Sequence, residues 1–164
     1  MKKALPIILA AIMLFSLVSF AACETKPKDD PTPVADLTAA ALWEKVKAVS
    51  GFGGMTAVPA RDYGDIYGID SSKLADSAWY MSENPSTNAD ECAIFKVSDA
   101  SYADTLKKVL EDRVARQLSV TKTYSPEQAA KLENVEVVVN GSWVCYCVGD
   151  NYADMMNVIN ANIK

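Results

Sequence analysis

The chain is 164 residues long, 50% hydrophobic, 23% charged and 9% aromatic, which suits one globular domain and excludes a disordered acidic tail, a collagen-like repeat and a disulfide-dense miniature scaffold. It has no histidine, which excludes Ser-His-Asp triads, Cys-His dyads and zinc sites built on imidazole. A net charge of −5 argues against a nucleic-acid footprint.

The charge is unevenly spread. Lys2 and Lys3 are the only charged residues before Cys23, so the remainder is more acidic than the average suggests. Met1-Lys2-Lys3 is a basic start, and Leu5 to Phe20 is an apolar run broken only by Pro6, Ser16 and Ser19. That run is long for a signal core and short for a membrane span. It ends in Ala21-Ala22-Cys23, which resembles the lipobox of bacterial lipoproteins, with Phe20 in place of the usual Leu or Val. The resemblance implies a signal peptide over 1–22 and a diacylglyceryl group on Cys23. Glu24 to Asp36 contains Pro27, Pro31 and Pro33 and almost nothing apolar. Such a stretch has too little to bury for it to order itself, and it reads as a tether over 23–36 spanning up to ~40 Å. The folded domain is then expected over 37–164.

The first helix is expected from Asp36 to Gly51, with Asp36 or Thr38 as cap and Leu42, Trp43, Val46 and Val49 on its apolar side. Gly51 supplies a left-handed stop, and Gly53-Gly54 extend the break. Short helical turns follow over 61–76, capped again at Asp70, with Tyr63, Ile66, Tyr67, Ile69 and Leu74 facing inward. Ser77–Ser82 and Glu91–Val97 read as strands separated by a turn around Pro85. In the second, Ala93, Phe95 and Val97 share one face, and Cys92, Ile94 and Lys96 the other. Ser98 or Asp99 caps the longest helix, about 100–121. Its inner stripe is Tyr102, Leu106, Val109, Leu110, Val114, Gln117 and Leu118. Lys107, Lys108, Glu111, Asp112 and Arg116 make its wet side. Ser125-Pro126-Glu127-Gln128 has the form of a capping box opening a short helix over 126–132.

Asn140-Gly141 between β-branched runs predicts a type I′ hairpin. With those two residues at its tip, Val138 pairs with Trp143 and Val137 with Val144. One face carries Val135, Val137, Val144, Tyr146 and Val148. The other carries Glu136, Val138, Trp143, Cys145 and Cys147. Asp150 then caps a closing helix striped by Tyr152, Met155, Met156, Ile159 and Ile163. The expected fold is α+β: an antiparallel sheet of about four strands from two hairpins, with helices on one face. No glycine fingerprint follows a strand, so no dinucleotide or phosphate loop and no cofactor is implied.

Several segments together resemble a family. They are Tyr67-Gly68-Ile69-Asp70, Tyr80-Met81, Asp90 to Val97, Arg113 on the long helix, and Val137-Val138-Val139-Asn140-Gly141. They are similar to domain of unknown function 4358, a set of small lipoproteins of Gram-positive bacteria, over about residues 38–163. The resemblance implies an anchored extracytoplasmic domain and carries no catalytic residue. Cys92, Cys145 and Cys147 depart from it, standing where aliphatic residues are usual.

Those three cysteines are the one cluster with chemistry to weigh. They are open to three readings: packed thiols, one structural disulfide with a thiol left over, or a metal or redox site. Cys145 and Cys147 share a strand face some 6.5–7 Å apart, too far to bond each other. Asp62, Asp65, Asp70 and Asp76 lack the EF-hand spacing, and Asp70 is more simply a cap. The tryptophans Trp43, Trp79 and Trp143 read as core more readily than as a stacking platform.

No catalytic, metal or cofactor-binding residue is assigned. The expected role is a lipid-anchored, non-catalytic binding module at the outer face of the cell membrane, with an envelope protein as partner and no nucleic acid. The alternative is a cysteine-based redox or metal-binding envelope protein. If helices cover one sheet face only, Val138, Trp143 and Ile94 form an interaction patch on the other. If the first helix closes that face, they belong to a second core instead.

Overall fold

The structure, a computed structural model, describes residues 36–163. The expected signal peptide (1–22), Cys23 and all of the expected tether except Asp36 lie outside the described residues. In chain order the elements are α1 (Ala39–Ser50), β1 (Met55–Ala57), α2 (Asp62–Tyr67), β2 (Leu74–Ser82), β3 (Glu91–Val97), α3 (Ala103–Tyr124), α4 (Pro126–Leu132), β4 (Val138–Asn140), β5 (Trp143–Val148) and α5 (Tyr152–Asn162). Single 3₁₀ turns, Ser71–Lys73 and Ala100–Tyr102, precede β2 and α3. The fold is α+β, with one antiparallel sheet in the order β1-β2-β3-β5-β4.

The sheet has five strands rather than about four. The addition, β1, is three residues long and pairs Met55 with Ser82 and Ala57 with Tyr80. So short an edge strand has no periodicity of its own; it exists because β2 offers an unpaired edge. Val58 N–H donating to the Trp79 carbonyl and Glu83 N–H donating to the Gly54 carbonyl extend the pairing at either end.

Helices cover both faces, which corrects the expectation of one. On the first face, Leu106, Leu110 and Val114 of α3 and Tyr63 of α2 pack on Trp79, Ala93, Phe95, Val144, Tyr146 and Val148. On the second, Leu42, Trp43 and Val46 of α1 and Met155, Met156 and Ile159 of α5 pack on Cys92, Ile94, Trp143, Cys145 and Cys147. The physical reason lies in the helices. Each of α1 and α5 carries an apolar stripe that must leave water, and α3 already occupies the first face. The proposed patch is therefore absent as a surface: Ile94 is 0% exposed, Trp143 is 5% exposed, and Val138 is half-buried against the same cluster.

Specific bonds hold α1 in place. Thr38 Oγ1 accepts from Ala41 N–H, and Asp76 on β2 accepts from Ala39 N–H at 2.7 Å. Two of the helix's free N-terminal donors are thus satisfied, one of them across the fold. Gly51 ends α1 at φ +70°, and Asn151 Nδ2, at the start of α5, donates to the Val49 carbonyl. The Trp43 ring stacks on Tyr80 with centroids 4.1 Å apart.

Four local expectations change. The β4–β5 register pairs Asn140 with Trp143 and Val138 with Cys145, so Gly141 and Ser142 form the tip. Gly141 takes φ +57°, as the first central residue of a primed turn requires, while Asn140 stays in the strand and its side chain donates to the Ile163 carbonyl. The pairing moves by two residues, so each side chain keeps its expected face. Asp150 does not cap α5; Asn151 occupies that position, and Asp150 pairs with Lys131 at 3.2 Å. Ser125 makes no side-chain capping bond, and Gln128 Oε1 instead accepts from Ala89 N–H. Ile66, expected inside, is exposed.

Candidate functional site

Glu91 opens β3 and faces the α3 side, the direction that alternation assigns to Ala93 and Phe95. Only 1% exposed, it is the most deeply buried acid among the described residues. A carboxylate at such a place needs every lone pair engaged. Arg113 of α3 meets it in a fork, with Nε donating to Oε1 and Nη2 to Oε2, both at 2.8 Å. Trp79 Nε1 and the Tyr146 hydroxyl also donate to Oε1, and Gln117 Nε2 donates to Oε2 at 3.0 Å. The guanidinium lies over the Tyr67 and Trp79 rings, 4.8 and 5.0 Å from their centroids.

The electrostatics of this cluster are fixed. Burial works against the charge on Arg113, but its bonds to Glu91 outweigh that and raise its pKa. Burial and the adjacent Glu91 raise the Tyr146 phenol well above its ordinary range, so it stays a neutral donor. A carboxylate accepting five bonds has no lone pair free to act as a general base. The cluster joins β2, β3, β5 and α3, and its chemistry is that of a structural ion pair.

Gln117 connects this cluster to the surface. Its Oε1 is buried without a hydrogen-bond partner, the only such side-chain atom among the described residues. The same residue lines a groove of about 570 Å³ between the loop Pro85–Ala89, the second half of α3 and the start of α4. Val120 and Tyr124 stand on its α3 side, 61% and 82% exposed. Arg116, also on this side, has no ion pair among the described residues.

The opposite rim is held firmly. Asn88 Nδ2 donates to Asp90, Asn88 Oδ1 accepts from Asp90 N–H, and the Asn84 carbonyl accepts from Thr87 and Asn88. Asp90 pairs with Lys131 at 2.9 Å, and Gln128 ties Ala89 to α4.

The residues singled out from sequence fall elsewhere. Cys92, Cys145 and Cys147 are all buried in the second core. Burial raises the pKa of the thiol form of both Cys92 and Cys145. Cys92 and Cys147 sit opposite one another with sulfurs 3.2 Å apart. No three His, Cys, Asp or Glu side chains among the described residues converge as metal ligands. Asp70 caps the Ser71–Lys73 turn through Ser72, and Asp76 caps α1, so those aspartates do not converge either. Among the described residues no helix is long and apolar enough to cross a membrane.

Sequence reasoning did not assign a role to Glu91, Arg113 or Gln117. One signal was present. Gln117 lies on the apolar stripe of the long helix, where an amide needs a buried partner.

Comparison with curated proteins and with solved structures gave no match. A family model does match, over residues 48–149, a span that holds all five strands together with α2, α3 and α4. The chain therefore belongs to the family described as domain of unknown function (DUF4358).

Proposed function

We propose that this protein is a non-catalytic binding module, held at the outer face of a membrane by a lipid on Cys23, and that it takes an extended segment of an envelope protein into the groove between the Pro85–Ala89 loop and α3. The observation that carries this reading is the contrast between two neighbouring regions. The buried charges of Glu91 and Arg113 satisfy each other. The adjoining groove, in contrast, combines exposed Val120 and Tyr124 with Arg116, which has no ion pair among the described residues. A peptide supplies matching chemistry: an apolar side chain for Val120 and Tyr124, and a carboxylate for Arg116. Anchoring is supported by Lys2-Lys3, the apolar run and Ala21-Ala22-Cys23.

Two measurements test it. Intact mass of the membrane-extracted protein should show a chain beginning at a diacylated Cys23, and Cys23→Ala should accumulate the unprocessed precursor. A mature form retaining Met1 or lacking lipid refutes the anchor. A photo-crosslinking residue at Tyr124 should capture an envelope protein that the same residue at Lys108 does not, and Val120→Glu should abolish that capture with the fold intact. Equal capture at both positions refutes the groove. The alternative of cysteine-based redox or metal chemistry has less support, because Cys92, Cys145 and Cys147 are all shut away from solvent.

A further inference from the structure

We propose that Cys92 and Cys147 form a disulfide that joins β3 to β5, and that Cys145 remains a thiol. The inference is independent of the groove and rests on strand register. The two residues are directly opposite in the antiparallel β3–β5 ladder, which runs without a shift from Glu91↔Val148 to Lys96↔Trp143. Val97 N–H donates to the Ser142 carbonyl, the next rung of that ladder. Hydrogen-bonded and non-hydrogen-bonded rungs alternate, so Cys92↔Cys147, an odd number of rungs away, is a non-hydrogen-bonded pair. Such pairs bring Cα atoms to about 4.5 Å and side chains closest together, inside the range that a disulfide accepts. Their sulfurs already stand 3.2 Å apart.

The same geometry excludes Cys145. It opposes Ile94, so Cys92 is its diagonal neighbour, roughly 7–8 Å away. From Cys147 it is two residues along one strand, about 6.5–7 Å. Neither separation suits a bond at the usual Cα spacing.

The bond also bears on the buried carboxylate. Glu91 and Tyr146 immediately precede Cys92 and Cys147 and point to the opposite face, where they bond each other. A link between the cysteines clamps the strand positions that deliver both groups.

The chemistry is thiol–disulfide exchange with a disulfide oxidant. One cysteine thiolate attacks the oxidant's disulfide, forming a mixed disulfide and releasing one oxidant thiol. The second thiolate displaces the other. Two S–H bonds are lost and one S–S bond forms, while the oxidant's disulfide becomes two thiols that take the two protons. Both cysteines are fully buried once folded, so exchange takes place before α1 and α5 close over the sheet.

The test uses the full chain carrying Cys23→Ser, refolded from its reduced, unfolded form in a mixture of reduced and oxidised glutathione. After acid quenching, free thiols are alkylated, the chain is digested, and the peptides are weighed. The expected result is a Cys92 peptide joined to a Cys147 peptide, lighter than their sum by two hydrogen atoms, with Cys145 alkylated. Cys145→Ala should keep that link, and Cys92→Ala or Cys147→Ala should each leave the remaining partner alkylated. Alkylation of all three cysteines, or a bond that includes Cys145, overturns the proposal. The readout requires no membrane and no partner, so its failure is distinct from failure of the anchoring or the groove.

Discussion

The carboxylate of Glu91 survives burial only because Arg113, Trp79, Gln117 and Tyr146 surround it. Removing the cation should therefore cost more than the pair is worth. Arg113→Met is expected to destabilise the domain by about 3–5 kcal/mol, since it strands a buried charge. Adding Glu91→Gln to that variant should recover part of the loss, because the charge goes too. Urea unfolding of the two single variants and the double variant checks this, and a double variant weaker than either single one would contradict it. Titration makes a second forecast. Burial raises the pKa of Cys145 in the folded protein, so the unfolded chain releases its proton first as pH rises. The stability this group contributes is complete below the ordinary thiol range, ~8.5, and is lost progressively above it. Tyr146 is raised too and acts in the same direction at higher pH. Melting temperature should fall through alkaline pH, and Cys145→Ala should make that fall shallower. A slope unchanged by the substitution would show that Cys145 does not ionise on unfolding in this range.

Among the elements, α1 and α5 decide what the second sheet face is for. Their stripes, with Trp43 lying flat on Tyr80, turn Ile94 and Trp143 from candidate contacts into core. Trp143→Ala is accordingly expected to lower stability by about 3–5 kcal/mol. Chemical denaturation of that variant measures it; near-normal stability would mean that the helices do not seal the face. Elements with strong local patterns were legible from sequence alone. Residues 91–97 alternate and are bounded by polar turns, and Pro126 at the first helical position marks α4, so both elements match their expected limits. The hairpin was legible in its faces but not in its tip. Asn140 and Gly141 both suit positive φ, yet Asn140 is held in the strand by Trp143 across the ladder and by the Ile163 carbonyl. That last bond spans 23 residues, and no local signal contains it.

At the scale of the whole chain, the expected division is between a signal peptide over 1–22, a tether over 23–36 that starts at the lipid-bearing Cys23, and one folded unit over 37–164. Limited proteolysis should cut within residues 24–36 and leave a resistant core beginning near Leu37, read by the N-terminal sequence and mass of the product. A core that loses stability when Pro31–Asp36 are removed would show that the spacer belongs to the fold. Local pattern alone was enough for the α+β class, the alternating faces of the strands and the stop at Gly51, because each depends on side-chain period or backbone sterics within a few residues. The remainder depended on packing between elements far apart in the chain. Two helix stripes had to find a sheet face, a free β2 edge recruited β1, and Glu91 found its cation on α3, 22 positions along the chain. The groove beside Gln117 arises in the same way, because its walls are a loop and two helices that only packing brings together. Contacts of that kind depend on which surfaces remain unburied after the other elements have packed, a property of the assembled chain that no local window holds.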